Sequence, residues 1–116
     1  MFRTMLKSKI HCCRVTETNL YYEGSITVDS VLLAKANILP GEKVEVLNLN
    51  TGVRLETYAL EGKRNSGVIC LNGPAARNAY VEDKVIILSY FIVPDQEAKS
   101  VKAKIVKVNE RNRIKN

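Results

Sequence analysis

A chain of 116 residues has the size of one domain, because domains typically hold about 100–150 residues. Its 46% hydrophobic and 26% charged residues are ordinary for a soluble globular protein, and no apolar run approaches the roughly 18 residues that span a bilayer. The N-terminus, Met1 to Lys7, has no uninterrupted apolar segment and no small-residue cleavage site, which argues against a secretory signal.

The net charge of +6 is concentrated at the C-terminus. Residues 99–116 contain seven basic residues and one acidic residue, whereas the first 98 residues hold eleven of each. We therefore describe 99–116 as a basic tail on a neutral domain and do not expect specific nucleic-acid binding. The three cysteines include two neighbours and no CxxC pair, which favours reduced thiols in a cytoplasmic compartment over a disulfide framework or a zinc site.

Alternating and β-branched patterns predict seven short strands, at residues 5–16, 24–28, 42–49, 53–60, 68–71, 85–93 and 102–108. Asp29 and Ser30 are good capping residues, and the spacing of the apolar residues after them predicts a short helix. Asn50-Thr51-Gly52 predicts a hairpin turn, and Pro74–Ala79 predicts one helical turn. From Asn109 onward we expect a frayed end. The chain therefore reads as a single mostly-β domain over residues 1–116, closed as a small barrel.

Standard catalytic motifs are missing from the sequence. His11 is the only histidine, no glycine-rich phosphate loop occurs, and no His, Cys or Asp cluster has metal-binding spacing. A chain of this kind is usually not an enzyme, unless it converts one of its own residues into a reactive group.

Gly24-Ser25 is the candidate for such a conversion. A serine hydroxyl can attack the carbonyl of the preceding residue and turn the amide into an ester, and glycine before it removes a Cβ clash and permits strained backbone. β-Elimination then leaves dehydroalanine, which hydrolyses to an N-terminal pyruvoyl group. On its own, a Gly-Ser dipeptide is better explained as an ordinary turn.

Other motifs accompany the dipeptide in a specific order and spacing. They are Arg3-Thr4-Met5-Leu6, Lys9, His11, Tyr22-Glu23-Gly24-Ser25, Asp29, Gly52, Arg54, Thr57-Tyr58, Asn72-Gly73-Pro74-Ala75-Ala76-Arg77, Asp83, Val85-Ile86-Ile87, Pro94-Asp95 and Glu97-Ala98. Over about residues 1 to 98, this arrangement resembles the bacterial aspartate decarboxylase family, whose members make β-alanine for pantothenate and coenzyme A.

The resemblance implies a lyase that is made as a zymogen. Autocatalytic cleavage between Gly24 and Ser25 would give a chain of residues 1–24 and a chain of residues 25–116. The cofactor would be a covalently bound pyruvoyl group derived from Ser25, with no metal and no pyridoxal phosphate. Its carbonyl would form a Schiff base with L-aspartate and accept electrons when carbon dioxide leaves.

The resemblance also assigns roles to residues around the carbonyl. Arg54 offers a planar fork that can bind one substrate carboxylate at two points, and Lys9 is a second cation for the substrate. Tyr58 is the expected proton donor, since a phenol stays protonated at neutral pH. In an ideal strand Arg54 and Tyr58 share a face. Thr57 points to the opposite face, although the family uses it in cleavage and substrate binding.

The turn Asn72-Gly73-Pro74-Ala75 matches the family's substrate-binding turn, although Pro74 has no N–H to donate. His11 and Tyr22 are expected to flank the site. The implied fold is a closed six-stranded double-psi β-barrel with two or three short helices. It would assemble as a homotetramer with active sites at subunit boundaries, and a maturation factor is a possible partner.

Two other interpretations compete with this one. Residues 29–49, a short helix followed by an alternating strand, look like the swapped-hairpin DNA-binding domains related to AbrB, and the basic tail would suit a transcriptional regulator. The neutral core and the unexplained Gly-Ser, Thr-Tyr and Asn-Gly motifs speak against it. An uncleaved pseudoenzyme or scaffold is the other alternative, because cleavage depends on backbone strain.

Overall fold

A computed structural model describes residues 1–115, and Asn116, the last residue of the predicted tail, lies outside the described residues. Within them the chain forms eight strands, two short α-helices and one 3-10 helix. In chain order these are β1 (Phe2–Arg14), β2 (Glu17–Asn19), β3 (Ser25–Asp29), α1 (Ser30–Ala36), β4 (Lys43–Asn48), β5 (Arg54–Gly62), β6 (Ile69–Asn72), the 3-10 helix (Gly73–Asn78), β7 (Lys84–Pro94), α2 (Asp95–Ala98) and β8 (Lys104–Lys107).

All eight strands belong to one sheet, in the order β2-β6-β3-β5-β4-β7-β1-β8. β3 lies between β6, to which it is antiparallel, and β5, to which it is parallel. The mostly-β prediction is confirmed. The sheet has eight strands, whereas the resemblance implies six, and the two strands at its ends, β2 and β8, are short.

The hydrogen-bond register divides the residues of the sheet into two faces. Val46 pairs with Ile87 on β7 and with Leu55 on β5, and Ile87 pairs with Ile10 on β1. Residues paired across strands share a face, so this row marks the apolar side of the sheet. Ile10, Val46 and Ile87 are almost fully buried, and they belong to the main hydrophobic core.

Asp29 explains why the chain changes from strand to helix where it does. Its side chain accepts a hydrogen bond from the Val31 N–H at 2.9 Å, which confirms the predicted helix cap. The same buried carboxylate accepts the N–H groups of Asn65 at 3.0 Å and Gly67 at 2.8 Å. Asp29 therefore fixes both the start of α1 and the loop that precedes β6.

The predicted hairpin turn between β4 and β5 is present. Gly52 has φ +79°, a left-handed conformation that glycine adopts without strain. Asn48, the last residue of β4, stabilises the turn, because its side-chain oxygen accepts hydrogen bonds from the N–H groups of Asn50 at 2.8 Å and Thr51 at 3.2 Å.

The prediction of a frayed end from Asn109 onward is wrong. Asn112 is only 1% exposed, and its amide accepts the Arg14 N–H and donates to the carbonyls of Arg14 and Gly67, each at 2.8 Å. A β-bridge also joins Val108 to Ile114. The basic segment is thus folded against the domain, both by the pairing of β8 with β1 and by the buried Asn112 side chain, and a charge count reveals neither.

The described residues contain no helix that is long and apolar enough to cross a membrane.

Candidate active site

The Gly24-Ser25 dipeptide lies at the start of β3, where Ser25 is fully buried. The Ser25 hydroxyl donates to the Glu23 carbonyl at 2.9 Å and accepts from the Asn72 amide nitrogen at 3.0 Å. A hydroxyl oxygen has one hydrogen and two lone pairs, so these contacts leave one lone pair uncommitted. The predicted nucleophile is therefore held in place with an electron pair available for attack.

Ser25 belongs to a group of four polar side chains on one face of the β3–β6 ladder. Ser25 pairs in register with Asn72, and Thr27 pairs with Cys70. The Asn72 amide nitrogen also donates to the Thr27 hydroxyl at 3.0 Å, and the Cys70 thiol donates to the Asn72 side-chain oxygen at 3.2 Å. We call Ser25, Thr27, Cys70 and Asn72 the polar quartet.

Gly73 brings the turn after β6 into close contact with the dipeptide. It has φ +64°, and a Cβ at this position would lie 2.8 Å from the Tyr22 carbonyl oxygen and 2.9 Å from the Gly24 nitrogen and Cα. Gly24 itself does not adopt a left-handed φ, and a Cβ there would meet only the Pro74 ring, at 3.4 Å. The backbone feature that requires glycine is at position 73, whereas the sequence argument placed it at 24.

A cavity of about 400 Å³ opens beside the dipeptide. It brings together several of the residues predicted for the site, namely Gly24, Thr57, Tyr58, Pro74 and Ala75. The carbonyl that Ser25 would attack thus lies beside a space that can hold a small molecule.

Thr57 and Tyr58 reach this cavity from opposite faces of β5. Thr57 pairs with the buried Val44 and so faces the core side, whereas Tyr58 pairs with the exposed Lys43. Both side chains are half-buried. The expected opposition of the two side chains is present, and it does not prevent both from lining one cavity.

Arg54 lies on the same face of β5 as Tyr58, as predicted, but it does not line the cavity. Its guanidinium donates to Glu45 at 2.6 Å, and the same carboxylate oxygen accepts the Tyr90 hydroxyl at 2.9 Å. Burial and the contact with Glu45 raise the pKa of Tyr90, so this phenol remains a donor. Within one chain the Arg54 fork is occupied by a carboxylate of its own protein.

Lys9 and His11 lie on β1, which β5, β4 and β7 separate from β3 in the sheet order. Neither lines the cavity beside Gly24. His11 contacts the Cys12 sulfur at 3.4 Å through Nε2, and its buried Nδ1 has no hydrogen-bond partner among residues 1–115. Tyr22, half exposed, lines a second cavity of about 390 Å³ that reaches Thr27, Cys70 and Asn72 from another side.

No group of three or more His, Cys, Asp or Glu side chains within residues 1–115 is arranged to hold a metal ion. Burial raises the pKa of Cys13 to about 12 and that of Cys70 to about 11, so both are thiols at neutral pH.

Comparison with known proteins identifies the family. The family model for aspartate decarboxylase matches residues 1–115. The aspartate 1-decarboxylase of Thermoanaerobacter pseudethanolicus is 56% identical over 113 residues, 97% of each chain, and that of Bacillus subtilis is 54% identical over 114 residues, 98% of this chain and 90% of the relative. The chain belongs to the aspartate decarboxylase family.

The aspartate decarboxylase match includes residues 29–49, on which the comparison with AbrB-related regulators rested. It also continues beyond residue 98, so the basic segment belongs to the family's domain. Among solved structures, the rationally designed protein mkDPBB_sym_86, a double-psi β-barrel, superposes with a TM-score of 0.50 at 17% identity and covers 66% of this chain and 90% of its own. That similarity supports the fold alone.

Sequence reasoning missed two members of the polar quartet in this aspartate decarboxylase. The sequence patterns place Thr27 in one strand and Cys70, a reduced thiol, in another, and they assign neither residue to the site. The available signal was the two-residue spacing of polar side chains in two strands that are otherwise apolar, Ser25 with Thr27 and Cys70 with Asn72. That spacing places each pair on one face, but only the β3–β6 register shows that the two faces coincide.

Proposed function

We propose that this chain decarboxylates L-aspartate to β-alanine and carbon dioxide, and so acts as a carboxy-lyase that supplies β-alanine for pantothenate and coenzyme A. The observation that carries this proposal is the family match over residues 1–115, together with relatives at 54–56% identity over nearly the whole chain. The activity requires a carbonyl group that the sequence does not encode directly.

That carbonyl arises from Ser25 by cleavage of the chain. The Ser25 oxygen bonds to the Gly24 carbonyl carbon, and the peptide C–N bond breaks to give an ester and a free amine. Elimination then removes the Ser25 Cα proton and breaks the Cβ–O bond, which releases residues 1–24 as a carboxylic acid and leaves dehydroalanine. Water then replaces the nitrogen of this residue, which leaves as ammonia. The buried hydroxyl with its free lone pair, the Asn72 donor and the close contact of Gly73 with Gly24 support this sequence.

The residues at the site fit a pyruvoyl group. Position 25 is buried beside the 400 Å³ cavity, and the Asn72 amide donates a hydrogen bond at the place where the group would form. When formed, the group supplies a carbonyl that takes up the substrate amine and withdraws electrons as carbon dioxide leaves.

The protein side chains then bind the substrate and move the proton. Tyr58 lines the cavity and is the proton donor, and Thr57 supports cleavage and substrate binding from the opposite face. Asn72, Gly73, Pro74 and Ala75 form the substrate turn. Pro74 takes part through its carbonyl or its ring.

Arg54 and Lys9 bind the carboxylates of the dicarboxylic substrate. Arg54 exchanges Glu45 for a substrate carboxylate, which is possible because the Arg54 side chain is 59% exposed and can turn toward a ligand. Lys9, with His11 as a lesser contributor, serves the site of a neighbouring subunit, whereas Tyr22 flanks the site from the second cavity of its own chain.

A homotetramer with shared sites explains this division. Lys9 and His11 lie away from the cavity of their own chain, and large apolar side chains are exposed along the paired ends of β1 and β7, with Phe2 67% and Ile92 70% exposed. Burial of these residues in the tetramer would remove apolar surface from water. Within each subunit, six of the strands close into a double-psi barrel. The enzyme works in the cytoplasm, and a maturation factor is a further partner that assists cleavage.

The test is an intact-mass spectrum of the purified protein combined with an assay for carbon dioxide release from aspartate. The expected result is one fragment of residues 1–24 and one of residues 25–116 that is one ammonia lighter than its serine form. Ser25→Ala should abolish both cleavage and activity. A chain that stays whole on prolonged warming and releases no carbon dioxide would overturn the proposal, and full turnover by Ser25→Ala would overturn the mechanism.

A further inference from the structure

The orientation of the Asn72 carboxamide decides what Ser25 can do. In the structure its nitrogen faces the hydroxyls of Ser25 and Thr27, and its oxygen faces the Cys70 thiol. If the amide were reversed, its oxygen would face Ser25 and attract the hydroxyl hydrogen away from the Glu23 carbonyl. The direction of the amide therefore controls the direction of the Ser25 O–H bond.

We propose that Cys70 is a positioning residue for backbone cleavage, and that its thiol fixes the Asn72 carboxamide with the nitrogen toward Ser25. This inference rests on the proposed self-cleavage at Gly24–Ser25. It assigns a role in maturation to a residue that touches neither the scissile bond nor the cavity beside it.

The geometry supports this role because every polar atom of the Asn72 side chain is used. Its two N–H groups go to Ser25 and Thr27, and among the described residues the Cys70 thiol is the donor that reaches its oxygen. Cys70 and Asn72 are two residues apart on β6, so their side chains lie on the same face, and both are buried.

Cys70 suits this task because it remains protonated. Burial, and to a lesser extent the nearby Glu17 carboxylate, raises the pKa of the Cys70 thiol to about 11. A thiolate would accept a hydrogen bond and would favour the reversed amide, whereas a thiol donates. Thr27 stabilises the same orientation from β3 by accepting the second N–H at 3.0 Å.

The experiment compares two matched pairs of variants, Cys70→Ser with Cys70→Ala and Cys70→Thr with Cys70→Val. Within each pair the side chains have nearly the same shape and differ in whether they carry a hydroxyl donor. The rate of conversion of purified precursor into the fragments 1–24 and 25–116 is followed by intact mass. We expect the hydroxyl variant of each pair to cleave about tenfold faster than its partner, which corresponds to one net hydrogen bond.

Unfolding midpoints of all four variants, measured in the uncleavable Ser25→Ala background, separate this effect from loss of fold. Equal cleavage rates within both pairs, with wild-type cleavage intact, would overturn the role of Cys70 and leave the proposed function standing. Rates that follow the unfolding midpoints rather than the presence of a hydroxyl would also overturn it. Failure of the wild-type chain to cleave at all would instead contradict the proposed function.

Discussion

Substitution of Gly73 by alanine tests whether the turn after β6 holds the scissile backbone in place. A left-handed φ costs an alanine roughly 1–2 kcal/mol relative to glycine. At Gly73 the new Cβ would also lie 2.8–2.9 Å from three backbone atoms of Tyr22 and Gly24, and displacing packed atoms costs about 1–3 kcal/mol more. We therefore expect the free energy of unfolding to fall by about 3 kcal/mol.

Gly41 provides a matched control within the same chain. Its φ is +88°, and a Cβ there would have no atom within 4 Å. Gly41→Ala should therefore carry the conformational cost alone, about 1–2 kcal/mol. Both variants are measured by urea unfolding in the Ser25→Ala background, so that a single uncleaved species is present and the two losses can be compared directly.

The same pair of variants has a second, kinetic readout. In the chain that retains Ser25, Gly73→Ala should slow cleavage at least about tenfold because the Gly24 nitrogen and Cα must move, whereas Gly41→Ala should cleave at the normal rate. The reasoning is refuted if the two variants lose the same free energy of unfolding and cleave equally fast. Gly73 would then be an ordinary turn glycine.

Three further outcomes are expected. Burial raises the pKa of Cys13 to about 12 in the folded state, against 9.0 unfolded, so only the unfolded state loses the thiol proton between pH 9 and 11 and the free energy of unfolding should fall by about 2–3 kcal/mol over that range. Cys13→Ala should reduce this decline in urea titrations at several pH values, and an unchanged decline would contradict the raised pKa. Asn112→Ala should cost about 3 kcal/mol in unfolding free energy, because the buried Asn112 side chain makes three hydrogen bonds and the residue has a left-handed φ of 58°. Asn65→Ala has a similar φ at an exposed site and should cost about 1 kcal/mol, and equal losses would count against Asn112 as a buried anchor. Arg54→Ala should raise KM for aspartate about 30- to 100-fold in steady-state assays of cleaved enzyme, with Arg64→Ala as the exposed-arginine control, and an unchanged KM would remove Arg54 from the substrate site.

The fold could be predicted from the sequence wherever a periodic pattern was long enough. The alternation after Gly41 and the capping residue Asp29 indicated β4 and α1 to within one or two residues. β2 and α2 were missed because three or four residues cannot show a period. The order of strands in the sheet could not be predicted, because most neighbouring strands are distant in sequence and no local pattern specifies which strands pair.

The C-terminal segment shows why composition misleads at chain ends. Seven basic residues with one acidic residue suggested a solvated tail. The segment is folded instead, because β8 pairs with β1 and because the Asn112 amide replaces water for backbone groups of Arg14 and Gly67 that burial would leave unpaired. These contacts join Asn112 to residues 98 and 45 positions away, so no pattern within a short stretch of sequence predicts them.

The site was predictable in its residue types but not in its mechanics. Resemblance to the family selected Ser25, Thr57, Tyr58 and Asn72, and the structure places the last of these against the first. What resemblance could not supply is why the serine is oriented as it is, since that depends on a thiol two residues before Asn72 and on the β3–β6 register.

The position of the essential glycine follows the same logic. Strain at the scissile bond was expected to require glycine at the residue that is cleaved, but Gly24 has an ordinary φ and room for a Cβ, whereas Gly73 has neither. A backbone that is to react has to be held by something more rigid than itself. Gly73 lies at the junction of β6 and the 3-10 helix, directly after Asn72, so one turn delivers both the amide that holds the Ser25 hydroxyl and the close contact that holds Gly24. Cleavage at Gly24–Ser25 is therefore expected to depend more on the geometry of this turn than on the identity of the residue before the serine.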